Sequence, residues 1–281
     1  MEFFQWERNP WGQEILVRIS WDLFWAAAAA GLLFILGHLL YRWKWAPKAA
    51  GGASGGTAEL AATIPERVVR HGLASRLFHW LMSVSVLVLL VTGFLPVLGI
   101  QFSWITIHWI AGLVLIGTVI FHTVHASFWQ NLRDIWISWS DWKEWLQEMQ
   151  HALGQRGQAP PKPGKYPVDH KLFHHMVLLA TFAVIGTGLL MMVRVETPFF
   201  ARNPYLLADQ TWGLVYVLHG LSSVALVGLI MAHIYFAVLP EKWWLTVSMV
   251  AGWITRKDFI ENHDPQRWVV SQEQPTPSKQ S

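Results

Sequence analysis

Apolar and polar positions separate along this chain into long runs. Five apolar blocks stand out, from Trp21 to Leu40, Phe78 to Leu98, Trp104 to Val124, Phe173 to Val193 and Gly213 to Leu239. Each is rich in Leu, Val, Ile, Ala and Phe, and each is close to the ~20 residues a helix needs to cross a bilayer. Helix is the natural conformation, because lipid leaves the edge of an open sheet unsatisfied. The pattern therefore predicts an all-α membrane protein with five spans. The first block follows a polar-containing segment rather than a short basic one, and bulky Leu39, Leu40 and Tyr41 stand where a signal-peptide cleavage site would need small residues. It reads as a retained membrane helix.

The polar stretches between the blocks divide the chain further. Ala49-Ala50-Gly51-Gly52-Ala53-Ser54-Gly55-Gly56 reads as a flexible linker. The first helix is then an additional N-terminal element in residues 1–48, residues 49–64 connect it, and residues 65–270 form a four-helix functional unit. The polar tail 271–281 is expected to be disordered. Between the third and fourth blocks, Trp136, Trp139, Trp142 and Trp145 recur at three-residue spacing before Pro160, Pro161 and Pro163. That amphipathic segment is expected to lie on the membrane surface.

Composition and charge narrow the class. With 53% hydrophobic and 14% charged residues the chain is too apolar for an ordinary soluble domain. There is no cysteine, which excludes disulfides, thioether-attached haem and cysteine-ligated iron–sulfur clusters. Many of the nineteen Trp sit at block ends, where interfacial aromatic belts lie. A net charge of +3 gives no reason to expect nucleic acid, but the placement of Lys and Arg is informative. Six fall in residues 42–77, six in 127–172 and five after the last block, whereas only Arg8, Arg18, Arg194 and Arg202 fall on the opposite side. The positive-inside rule then puts the N-terminus outside and the C-terminus in the cytoplasm.

Histidines carry the chemistry. An ionisable side chain within a membrane helix is costly and marks function. Five of the thirteen lie at informative depths: His79 near the cytoplasmic end of the second block, His108 and His122 near the outer and cytoplasmic ends of the third, and His219 and His233 likewise in the fifth. His219 and His233 are 14 residues apart, which is nearly four turns, so both rings face one way about 21 Å apart along the axis. Two haems stacked across a bilayer need such a separation, and neutral imidazole is a suitable axial ligand. At the outer level the second ligand is His108. At the cytoplasmic level both His79 and His122 qualify, since His108 and His122 are also 14 apart. For other positions structural roles are expected: His38 bonding a neighbouring helix, a solvated state for His71, His125, His151, His170, His174, His175 and His263, and packing for Met82, Met191, Met192 and Met231.

Several motifs resemble the gamma, cytochrome b subunit of membrane formate dehydrogenases. They are Arg70 to Trp80 with its Arg76-x-x-His79-Trp80 core, Thr92-Gly93, Ile107 to Gly112, Gly164-Lys165-Tyr166, Leu218-His219-Gly220 through Ala232-His233-Ile234-Tyr235, and His263 to Trp268. The likeness covers residues 65–270. It implies a four-helix transmembrane cytochrome b bundle with two b-type haems, the outer one on His108 and His219, the inner one on His79 and His233, with His122 the alternative inner ligand. It implies a bacterial cytoplasmic membrane, an iron–sulfur partner subunit and a molybdenum or tungsten catalytic subunit, so that the substrate site lies in another chain. It also implies menaquinone or ubiquinone at the Gly164-Lys165-Tyr166 loop beside His233, with Lys165, Tyr166 and His170 at the site. The chain departs from the family there, with Pro167 and His170 where its members carry amides. Hydrogenase and thiosulfate-reductase cytochromes share the same features. A stand-alone b561-type carrier, and a haem-free anchor or transporter using histidine proton relays, are the rivals.

Overall fold

The computed structural model describes residues 3–44, 63–152 and 161–270. Most of the expected linker, and the whole expected tail, lie outside them. Five helices are long and apolar enough to cross a membrane: α1 (Trp21–Lys44), α2 (Leu73–Phe94) with the short turn that follows it, α3 (Trp104–Trp129), α5 (Val168–Met192) and α6 (Asp209–Ala237). Their apolar side chains remain largely exposed, Phe128 and Leu179 at about three-quarters of their surface. Exposure on this scale along whole helices is what a lipid-facing surface requires. The protein is an all-α membrane protein with small sheets only.

Helix boundaries follow proline chemistry. The second block does not stay helical to Leu98. The α-helix stops at Phe94 and tightens into a 3-10 turn over Leu95–Leu98 that contains Pro96, which has no N–H to give a helical carbonyl. The fourth block begins earlier than expected, at Val168 immediately after Pro167, so His170 lies in the first turn of α5 rather than in a loop.

The chain forms two compact units. One gathers residues 1–46, 80–121 and 175–236. Its N-terminal part is a β-hairpin that the apolar pattern does not show: β1 (Phe4–Arg8) pairs antiparallel with β2 (Glu14–Ile19). Asn9 builds the turn by accepting the amides of Trp11 and Gln13, and Gly12 supplies φ +81°. The hairpin seats on α6, where a Cβ at Gly213 would strike the Leu16 carbonyl and one at Gly220 would meet Ile19. Ile19, Val217 and Val224 form the buried cluster beneath it. On α1, His38 Nδ1 lies 2.7 Å from the Tyr235 hydroxyl of α6, the neighbouring-helix bond expected for it.

The other unit gathers the described residues within 47–79, 122–174 and 237–281. Here β3 (Arg67–Val69) pairs antiparallel with β4 (Trp253–Thr255), flanked by α7 (Trp243–Ala251) and α8 (Arg256–Asn262). A capping box between Thr255 and Asp258 starts α8. Ile64, Val68, Ile254 and Phe259 form its core. The amphipathic helix α4 (Trp139–Ala152) exposes Trp139 and Trp142. It is tied down by a buried Lys171–Asp141 ion pair at 3.0 Å and by Arg267–Glu144 at 3.0 Å.

Candidate functional site

The structure brings His108 of α3 and His219 of α6 together, with ring centres 6.3 Å apart and planes at 61°. Each ring is held the same way. His108 Nδ1 lies 2.8 Å from the Thr92 hydroxyl of α2, and His219 Nδ1 lies 2.9 Å from the Thr187 hydroxyl of α5. Each threonine also bonds its own helix, Thr92 to the Val88 carbonyl at 2.7 Å and Thr187 to the Ala183 carbonyl at 2.5 Å. A hydroxyl has one proton. With that proton given to the carbonyl, the oxygen accepts from the ring, so Nδ1 carries the hydrogen. Backbone carbonyls of Leu89 and Val184 also face the two rings, and a carbonyl only accepts. Both arrangements select the Nδ1–H tautomer and leave the Nε2 lone pair for a metal.

The glycine after each threonine completes the pattern. A Cβ at Gly93 would sit 3.7 Å from His108 Cε1, and one at Gly188 would sit 3.5 Å from His219 Cε1. Thr-Gly on one helix thus presents a histidine on another, and the device occurs twice. The residues fit a haem iron. Metal–imidazole bonds are about 2 Å long, so two rings binding one iron from opposite sides have centres roughly 6–6.5 Å apart, and the observed separation matches. His108 and His219 would hold such a group through Nε2, and a haem bound there would supply one-electron redox chemistry.

The remaining histidines divide by surroundings. His79 and His122 fall in the same compact unit and His233 in the other. His122 stacks on Phe78, with centres 3.9 Å apart and planes 14° from parallel, and stands edge-on to His174 at 6.4 Å. Its Nδ1 is buried with no hydrogen-bond partner among the described residues.

Of the histidines expected to be solvated, His263 is buried, and His71, His170, His174 and His175 are half-buried. His263 is 2% exposed. Its Nε2 accepts from Arg70 Nη1 at 3.0 Å and its Nδ1 donates to the Gly164 carbonyl at 2.7 Å. The reason is architectural: β3, the 163–167 loop and the segment after α8 converge on one buried guanidinium. Burial, with Arg70 alongside, pushes the His263 pKa down to about 4. His71 is half-buried, and burial together with Arg70 and Lys165 pushes it down to about 3. The sequence did offer a sign, since His263 lies in the His263 to Trp268 motif, and Trp268 packs edge-on against it at 4.8 Å.

The Lys165 and Tyr166 positions lie against the same guanidinium. Arg70 stands 5.7 Å over the Tyr166 ring and 5.4 and 5.5 Å over Trp244 and Trp268, and Lys165 stands 5.4 Å over Tyr166. Burial lowers the Lys165 pKa and raises that of Tyr166, keeping the phenol protonated. The His170 backbone amide donates to the Asp169 carboxylate at 2.9 Å in the first turn of α5.

Thr187 and Gly188 are the site residues that sequence reasoning missed. Thr92-Gly93 is one of the motifs of the family resemblance, and the recurrence of Thr-Gly near the end of the fourth block is the available signal. A family model described as prokaryotic cytochrome b561 matches residues 70–252, well over half of the 281-residue chain. The chain belongs to that family. The match takes in the five membrane histidines and both Thr-Gly pairs, and leaves out the hairpin, α1 and α8. No curated protein matches the chain. Membership makes it a multi-pass membrane b-type cytochrome, an electron carrier that binds b-type haem.

Proposed function

We propose that this member of the prokaryotic cytochrome b561 family is the dihaem membrane subunit of a formate-dehydrogenase-like respiratory oxidoreductase, passing electrons between a partner iron–sulfur subunit and the quinone pool. The observation that carries the redox reading is the His108–His219 pair, whose spacing and shared tautomer suit one bis-histidine iron. His233, four turns from His219 on α6, supports a second haem. The resemblance supplies His79 as its partner, with His122 the alternative. The charge asymmetry of the loops supports a cytoplasmic C-terminus and puts His108 and His219 at the outer face. The partner subunits, including the molybdenum or tungsten catalytic chain, rest on the same resemblance.

Quinone, as menaquinone or ubiquinone, is assigned to the 164–170 segment. Its reduction takes two electrons and two protons, so protonated groups reachable from water must stand beside it. Tyr166, Lys165 and His170 are the titratable side chains of this segment, and burial keeps the phenol protonated. Pro167 offers no side-chain hydrogen bond, which leaves His170 as the donor in place of the family's amide.

The family description itself favours a second reading, a stand-alone b561-type carrier. Purification in mild detergent separates the two. The first reading expects co-purifying soluble subunits with iron–sulfur and molybdenum or tungsten, two low-spin b haems per chain by pyridine haemochrome, and haem reoxidation by a quinone analogue that slows in Tyr166→Phe or His170→Ala. A chain that purifies alone with both haems favours the carrier, and one haem per chain removes the dihaem assignment.

A further inference from the structure

We propose that Thr92 and Thr187 are positioning residues that set the electronic character of the haem held by His108 and His219. They would do so by accepting the Nδ1–H hydrogen bond of each ligand and holding its Nε2 toward the iron. The inference rests on the haem assignment above and adds a specific role that spacing, family membership and the histidines themselves do not supply.

The threonines do not simply fill space. Both are buried, at 2% and 8% exposure, where an unbonded hydroxyl would be costly. Bonding back to a carbonyl one turn earlier is common for Thr and Ser in apolar helices. Ser85 and Thr118 do this as well, at 2.8 and 2.7 Å. Thr92 and Thr187 differ because their oxygens also meet an imidazole nitrogen at 2.8 and 2.9 Å. Once its proton is committed to the carbonyl, the oxygen can meet that nitrogen only as an acceptor. The bond therefore has one polarity, from ring to threonine, and it fixes the tautomer at both ligands in the same sense.

That polarity has a redox consequence. Accepting the Nδ1 proton draws the imidazole toward imidazolate and makes Nε2 a stronger donor. A stronger donor favours ferric over ferrous iron, and so lowers the reduction potential. With one threonine on each side, the effect acts from both axial positions. Gly93 and Gly188 lie beside each ring's Cε1 edge, where even a Cβ would stand in ordinary van der Waals contact, so nothing there displaces the rings from these bonds.

The test uses the full chain in its membrane complex, with Thr92→Val, Thr187→Val and the double variant, their Thr→Ser counterparts, and Thr118→Val as a control whose hydroxyl bonds the Val114 carbonyl of its own helix. Haem content is read by pyridine haemochrome. The potential of each haem is read by optical titration, and the ferric low-spin signature by electron paramagnetic resonance. The expected result is that both haems remain and one of them becomes easier to reduce. Its reduced-to-oxidised ratio at fixed poise should rise about tenfold in the double variant, which is ~59 mV for one electron. The ferric signature should shift, and the Ser and Thr118→Val chains should behave as the parent. Haem loss in the Val variants restored by Ser also supports the role. Unchanged potential and signature in the double Val variant overturns it, as does haem loss that Ser fails to restore, since packing alone would then explain the threonines. The haem assignment fails separately: a His108→Ala or His219→Ala chain that keeps its full haem complement removes the ligands whatever the threonine variants do.

Discussion

His219 and His263 are both buried histidines hydrogen-bonded at Nδ1, yet their opposite commitments separate a metal ligand from a structural residue. His263 uses both nitrogens within the protein, accepting from Arg70 at one and donating to Gly164 at the other. Among the described residues His219, like His108, is bonded at Nδ1 alone, to a hydroxyl whose own proton is already placed. The lone pair of His263 is consumed by a cation, and an imidazole so engaged has nothing left for iron. Burial and the presence of a bond are therefore poor markers of a ligand. The informative quantity is which nitrogen remains, together with whether a second such ring faces it at metal-binding distance.

The sharpest way to break this contrast is to delete each ring in turn. His108→Ala or His219→Ala is expected to remove a whole haem from the chain. His263→Ala should keep the full haem content and lose stability instead. Pyridine haemochrome assays on the three purified variants check this, and retained haem in the first two with loss in the third would invert the assignment.

The next effect in size belongs to the guanidinium. Arg70 is 3% exposed, and no carboxylate pairs with it in an ion pair among the described residues. Three aromatic faces and one imidazole stand where an anion would be expected. Cation–π contacts and a charge-assisted bond offset part of its desolvation. Burial lowers its pKa to about 10, which leaves it charged at neutral pH. Arg70→Ala should cost about 3–5 kcal/mol, because it empties a ring-lined volume and strips the donor from a buried imidazole. Trypsin should then cut sooner at Arg256, Lys257 and Arg267. Unchanged cleavage would show that the convergence of β3, the loop and α8 does not depend on the cation.

How far the sequence reached differs between these regions for a physical reason. Five spans were legible because lipid imposes one long-range rule, about twenty apolar residues in a row, that any linear scan reads. The pairing of His108 with His219 was legible because both lie near the outer ends of their blocks, and the 14-residue interval to His233 put the His219 ring on a face shared with a second candidate ligand. The hairpin over residues 4–19 was not, since its strands alternate weakly, Trp6 being 60% exposed, and only the Asn9 to Gly12 turn marks it. The burial of His263 was also hidden. It depends on Gly164, which is 99 residues away in sequence, and a polar tail motif looks solvated until the elements that cover it are placed. The role of Thr187 is hidden in the sequence because a threonine in an apolar helix ordinarily bonds only its own backbone.

The smallest effect is expected from pH, and it should touch only one of the two regions. His263 faces Arg70 at Nε2 and the Gly164 carbonyl at Nδ1, with His170 also contributing positive charge, and every one of these charged neighbours disfavours a second cation. Its folded pKa is lowered to about 4 from an ordinary 6.5, and His71 is lowered to about 3 beside it. In both cases the unfolded chain binds the proton more readily than the folded one. The stabilisation is therefore complete above about pH 6.5, declines as pH falls through the window between the two values, and is gone below the folded pKa. At pH 5.5, one unit inside the window, His263 alone should have lost on the order of 1 kcal/mol of its contribution. Amide exchange and trypsin sensitivity of residues 253–268 should rise between pH 7 and 5. In His263→Gln much of that rise should disappear, because glutamine offers polar atoms without titrating. The His108–His219 end, ringed by hydroxyls and carbonyls, should keep its haem spectrum across the same range. A spectrum that changes in step with the exchange would mean the two ends unfold together, and the distinction between ligand and keystone would then have no thermodynamic counterpart.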